Sequence, residues 1–277
     1  MITVGLTNWA QHPDLLDKKK ITLPEYSQFY ECVEVDSFFY GIKNETVTQK
    51  WHDDVDEDFR FIIKASKVIT KQSEATEIQI EKECQSLKQA LAPLKNKLTG
   101  ILLQFPGYFD VSKENILYLR RIFDYLKDFS LIVEFRNQRW YNEQYHDRMV
   151  NLMKEYQVTL AIVDEPQVTE SRVPFDVTIT NDSLAFFRFH GRNTAGWNTK
   201  LGFETGARTN YDYSTEELKQ LGQAVLEVSK KVKKVVVIFN NNGGLHANKN
   251  AIEFQKIIGI KNRMMQNEQL NLLDENH

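Results

Sequence analysis

Two cysteines in 277 residues are few. Cys32 and Cys84 lack metal-ligand spacing and read as reduced thiols in a cytosolic protein. No apolar run approaches the roughly 20 residues that a membrane-spanning helix needs, so no membrane partner is expected. Charge of neither sign dominates. The 35 Lys and Arg stand against 38 Asp and Glu, a formal net charge of −3, which does not point to a nucleic-acid partner. No glycine-rich dinucleotide fingerprint follows an apolar run, so no redox cofactor is expected. No histidine pair at i, i+4 is present, and no repeat or low-complexity linker divides the chain. The start, Met1 to Gly5, enters an apolar run at once, and no signal peptide is expected there.

What the chain does have is eight short apolar runs. They are Ile2–Asn8, Cys32–Phe39, Arg60–Ser66, Gly100–Pro106, Ser130–Arg136, Thr159–Glu165, Leu184–Gly191 and Lys234–Asn241. Their length and their β-branched and aromatic content fit buried strands. Most of the intervals hold a helical pattern. Thr22 and Glu25 form a capping-box pair with Pro24 in the first turn, and Ser214 and Glu217 form another. Further helices are expected over 46–51, 74–97, 113–127, 144–155 and 248–263. Eight strands with crossovers predict an α/β protein, a single (β/α)8 TIM barrel over residues 1–265, with a polar tail over 266–277. The interval 166–183 reads as an irregular sixth crossover because of Pro174 and its β-branched residues. The interval 191–213 is a long loop at the catalytic face. Its Trp197, Phe203, Tyr211 and Tyr213 suit a lid.

Strand side chains alternate between faces, and helices need an apolar wall. That parity aims Thr7, Glu34, Asp36, Lys64, Gln104, Glu134, Arg136, Asp164, Arg188, His190 and Asn240 into the barrel. Barrel interiors are normally filled by Val, Ile and Leu, and buried unpaired charge is costly. A ring of both signs is therefore a paired network, a ligand site, or both. Glu34 and Arg188 are the pair best placed for simple mutual neutralisation. After the eighth run, Gly243 and Gly244 precede a helix. Loops there bind phosphate in many barrels, and Arg188, Arg192 and Lys64 offer fixed charge.

Several segments together resemble the domain-of-unknown-function 72 family, the YecE-like proteins. They are Val33 to Tyr40, Phe61 to Ala65, Leu103 to Pro106, Val133 to Arg136 with Trp140, Arg188 to Arg192, and Phe239 to Asn241 with Ala247. The resemblance runs from Gly5 and Trp9 to about Ala251. It implies a TIM barrel and no established reaction. Asp36 stands where that family usually has Asn, Phe38 where it has Thr, and Gly107 where a second Pro is common.

The function expected from the residues is a non-redox enzyme, such as a hydrolase or isomerase, for a small phosphorylated or carboxylated molecule. Glu34, Glu134 and His190 are its candidate catalytic groups. Asp36, Lys64, Gln104, Arg136, Asp164, Arg188, Arg192, Asn240, Gly243 and Gly244 are its candidate binding groups. One alternative is a metal-assisted phosphoester hydrolase using Glu134, Asp164 and His190, although no resident metal is expected because of the adjacent arginines. Another is a binding barrel without turnover. The substrate, the bond changed and the oligomeric state are not legible.

Overall fold

A computed structural model describes residues 1–167, 172–197, 206–261 and 263. The strands are β1 (Ile2–Thr7), β2 (Cys32–Val35), β3 (Arg60–Lys64), β4 (Leu98–Phe105), β5 (Leu131–Phe135), β6 (Thr159–Asp164), β7 (Leu184–Phe189) and β8 (Lys234–Phe239). They pair in chain order into a closed barrel. All pairs are parallel, and β8 returns to β1 through the register Gly5↔Ile238. Closure leaves no sheet edge. It also leaves two faces, each with its own apolar layer.

The outer layer joins Val33, Val35, Phe61, Ile63, Leu103, Val133, Phe187 and Phe239 to the helices. The inner layer holds Cys32, Ile62, Leu102, Ile132, Ala161, Val163, Phe186, Val236 and Ile238. Gly5 belongs to the inner face. A Cβ there would lie 2.3 Å from the Cys32 carbonyl oxygen, so only glycine lets β1 and β2 approach this closely.

The helices are α1 (Leu23–Ser27), α2 (Ser37–Tyr40), α3 (Glu45–Asp53), α4 (Glu77–Leu91), α5 (Lys113–Tyr125), α6 (Glu143–Glu155), α7 (Thr194–Trp197), α8 (Thr215–Ser229) and α9 (His246–Ile257). Both expected capping boxes form, at Thr22 and Ser214, and a third forms at Thr76. Each satisfies backbone N–H groups that the first helical turn leaves without partners. Among the described residues, no helix bridges β6 and β7, so the sixth crossover is irregular there. The expected tail over 266–277 lies outside the described residues.

The second strand is shorter than its apolar run. It ends at Val35, and Asp36 opens α2. Tertiary packing overrides the strand propensity of Phe38 and Phe39. Phe38 is fully buried, with its ring 6.0 Å from Trp51. At the other side of the mouth, Phe105, Phe109, Phe135 and Trp140 stack, with Phe135 and Trp140 centroids 4.2 Å apart. The Trp140 indole N–H donates to the Phe109 carbonyl at 2.8 Å, which ties the β4 loop to the β5 loop. The rim of the barrel is thus rigidly packed beneath the polar side chains it presents.

Candidate functional site

Arg188, on β7, is fully buried inside the barrel. Its Nε and Nη2 donate to the two Glu34 oxygens at 2.8 and 2.5 Å. Its Nη1 donates to Glu134 Oε2 at 2.5 Å and to Gln104 Oε1 at 3.0 Å. One guanidinium therefore joins β2, β4, β5 and β7. Glu34 and Glu134 have no exposed surface. Each lies two residues before a mouth position on its own strand, so the trio forms the floor of the site.

The two floor carboxylates differ. Burial pushes Glu34 up to about 7, against the pull of Arg188 and with the help of Asp36. Burial also opposes the charge on Glu134, but Arg136 and Arg188 overcome it and hold that carboxyl well below its ordinary range. Glu134 has both Arg136 and Arg188 beside it, whereas Glu34 has the Asp36 carboxylate nearby to oppose Arg188 and Lys64.

Above the floor lies a second network. Arg136 pairs through Nε with Glu134, and its Nη1 donates to Glu165 Oε2 at 2.8 Å. Its Nη2 stands 2.8 Å from His190 Nε2. The same Nε2 lies 3.3 Å from Glu134 Oε1, and the Asn240 amide nitrogen lies 2.8 Å from Nδ1. Burial and the Arg136 charge lower His190 to about 3, so the imidazole is neutral at physiological pH. Glu165 is raised by burial, with Arg136 opposing the shift. Lys64 pairs with Asp36 at 3.4 Å and lies 4.8 Å from the Phe39 ring centre.

This network lines a cavity of about 740 Å³ at the C-terminal strand ends. Among the described residues its charged lining comprises Lys64, Arg136, Arg139, Arg172, Arg208 and Glu165. Three of the arginines surround one indole. The guanidinium carbons of Arg136, Arg172 and Arg208 lie 5.2, 4.8 and 5.1 Å from the Trp197 ring centre. Trp197 is itself fixed by a hydrogen bond from its ring N–H to the Arg208 carbonyl at 3.1 Å. Burial lowers Arg208, and repulsion from Arg136 and Arg172 adds to it.

Inward parity thus brings Glu34, Lys64, Gln104, Glu134, Arg136, Arg188, His190 and Asn240 together, with Asp36 at the rim. It fails on β6. Ala161 and Val163 are in the inner layer and Ile162 in the outer one, so Asp164 points outward and Glu165 inward. Asp164 accepts from Tyr213 Oη at 2.6 Å and from Arg192 at 2.7 to 3.0 Å. Arg192 also reaches Glu217 at 3.2 Å. Asp164 and Arg192 are therefore a pair outside the barrel. The trio of Glu134, Asp164 and His190 does not converge, and no group of three or more acidic, His or Cys side chains among the described residues is disposed to hold a metal.

The glycine loop is also corrected. The Gly243 N–H donates to the Thr209 carbonyl at 3.1 Å. A Cβ on Gly243 would meet the Gly206 carbonyl oxygen at 2.6 Å, and one on Gly244 the Asn210 side chain at 2.5 Å. These glycines permit close packing against the 206–210 turn and do not form an open anion nest. Arg188, locked in the floor, cannot turn toward them. Of the proposed lid aromatics, Trp197 lines the cavity. Tyr211 and Tyr213 bond to Glu217 and Asp164 away from it, and Phe203 lies outside the described residues.

Reading by strand parity missed Glu165, Arg172, Arg208 and Trp197 as a group. Glu165 had a signal. Asp164 and Glu165 are adjacent, so they must face opposite ways, and small Ala161 suits the crowded inner face better than Ile162. The loop arginines had none, because an irregular segment has no period.

The fold and the site define a (β/α)8 barrel with a cation-rich cleft at its C-terminal mouth. The chain belongs to the family described as protein of unknown function DUF72, which it matches over residues 3–272. UPF0759 protein YunF of Bacillus subtilis is 32% identical over 281 residues, spanning 98% of this chain and 100% of that one. UPF0759 protein YecE of Escherichia coli is 25% identical over 178 residues, 62% of each chain. The crystal structure of a DUF72 family protein from Enterococcus faecalis is similar with a TM-score of 0.89 at 40% identity, covering 94% of this chain and 96% of that one. One from Thermotoga maritima gives 0.78 at 26% identity, covering 94% and 99%.

Proposed function

We propose that the cleft binds a small phosphorylated or carboxylated molecule and that Glu165 performs acid–base chemistry on it, with His190 as a neutral hydrogen-bonding partner. The observation that carries this reading is the gathering of Lys64, Arg136, Arg139, Arg172 and Arg208 around one cleft. Guanidinium forks suit phosphate and carboxylate, and Lys64 adds a point charge across the cleft. Glu165 is the carboxyl among the described residues that line it. Burial raises it, which suits it to hold and give up a proton, while the neutral His190 imidazole serves as a hydrogen-bonding group. Glu134 stays anionic and fixes Arg136 and Arg188 in place.

A binding barrel without turnover is the rival reading. It is favoured by the full burial of Glu34 and Glu134, both committed to Arg188. Titration calorimetry with phosphate, sulfate and sugar phosphates tests the shared part. Wild type is expected to bind in the millimolar range or tighter, and Arg208→Ala to bind about tenfold more weakly, with its melting temperature little changed. Equal affinities would remove the support for the anion cleft. Turnover of any bound phosphate ester, abolished in Glu165→Gln, separates the enzyme from the binder.

A further inference from the structure

A second cavity, of about 580 Å³, adjoins the cleft beside β3 and β4. Gln72 and Tyr108 line both. Tyr108 is the partition, and its state is unusual for an aromatic side chain. It is 69% exposed, yet its hydroxyl donates to the Lys71 carbonyl at 2.8 Å. A ring tethered at its tip and open to solvent keeps one face available. Gln72 is held too, donating to the Gln104 carbonyl at 2.9 Å and to Thr70 Oγ1 at 3.1 Å. The far cavity is less charged than the cleft and includes Ala75, Ile80 and Phe109.

We propose that Tyr108 is a stacking platform for the body of the ligand, so that the molecule is an aryl or other flat-ring compound carrying its anionic group into the arginine cleft. This rests on the anion reading above and deepens it. The cleft arginines would take the charge. The tethered tyrosine ring would take the planar part, and the second cavity would give that part room. Tethering matters because a ring already ordered loses less entropy when a ligand covers it. Stacking on an aromatic face tolerates many ring types, so the platform would select for flatness and leave the ring's identity to other contacts.

Calorimetric titration with inorganic phosphate, glycerol phosphate, phenyl phosphate and 1-naphthyl phosphate tests the inference. Wild type is expected to bind naphthyl phosphate about tenfold more tightly than glycerol phosphate, a difference of about 1.4 kcal/mol. In Tyr108→Ala the ratio should fall close to one while affinity for inorganic phosphate is unchanged. Tyr108→Phe, which keeps the ring, should retain most of the preference. Because the side chain is largely exposed, the alanine variant is expected to fold. Phosphate binding with no aryl preference, or a preference that survives Tyr108→Ala, would overturn the platform and leave the anion cleft standing. Failure of wild type to bind any of the four would overturn both.

Discussion

One arginine below Glu134 and a group of three above it differ in their surroundings. Below, Arg188 meets two buried carboxylates and the amide oxygen of half-buried Gln104. Above, Arg136, Arg172 and Arg208 crowd one indole, and Glu165 is the carboxylate among the described residues of the cavity lining. The floor carboxylates are closed to solvent. The mouth gathers cations around a large cavity. Charge that is paired and sealed holds strands together. Charge that lines an open cavity can meet a ligand. The same residue type on the same barrel therefore serves two ends, and the composition around it decides which.

Removing the floor arginine should break this comparison most severely. Arg188→Met leaves Glu34 buried without its arginine and Glu134 with Arg136 as its remaining guanidinium partner. Such losses typically cost about 3–5 kcal/mol, and urea unfolding should show a cost of that size. A small change would mean that the floor does not hold the barrel together.

The next effect is one of pH. Glu34 titrates near about 7 in the folded chain, above its ordinary carboxylate value. The folded state therefore binds more protons than the unfolded state between about 4.5 and 7. Its contribution to stability is full below that window and is lost as pH rises through it. His190 and Glu134 act in the opposite sense, since both are lowered. Their contributions are lost as pH falls. Subtracting a Glu34→Gln variant from wild type isolates the first term. The difference in unfolding free energy should move in the variant's favour between pH 5 and pH 8. A flat difference would show that Arg188 keeps Glu34 ionised throughout.

The barrel and most of its floor were legible because strands obey a simple period. Eight runs, each with polar residues at its end, gave the closed sheet, and alternation gave the inner face of β2, β3, β4, β5, β7 and β8. The rule faltered on β6, where preference for an inward acid outweighed the packing sizes of Ala161 and Ile162. It also faltered at Ser37 to Tyr40, where local aromatic content favours strand but Phe38 docks onto Trp51 in a helical turn. Of the mouth arginines, Arg136 was legible and Arg172 and Arg208 were not. Arg172 and Arg208 come from irregular segments far apart in sequence, and only the folded chain places both against Trp197.

The smallest effect concerns Arg192, which the sequence suggested as an anion ligand. It sits outside the barrel, half exposed, with Asp164 and Glu217 as partners. Its removal would not touch the cleft. Asp164 would remain buried, keeping one hydrogen bond from Tyr213 Oη at 2.6 Å. An uncompensated buried charge is costly, but the remaining bond and the exposure of Arg192 reduce the loss. Arg192→Ala should therefore lower stability by about 1 kcal/mol, read by urea unfolding, while phosphate affinity stays within about twofold of wild type. The paired result sharpens the comparison because it separates charge paired away from the cleft from charge that lines the open cavity. If phosphate affinity fell and stability did not, the anion would have to reach the outer face of β6 and β7. The division between structural and ligand-binding arginines would then be drawn in the wrong place.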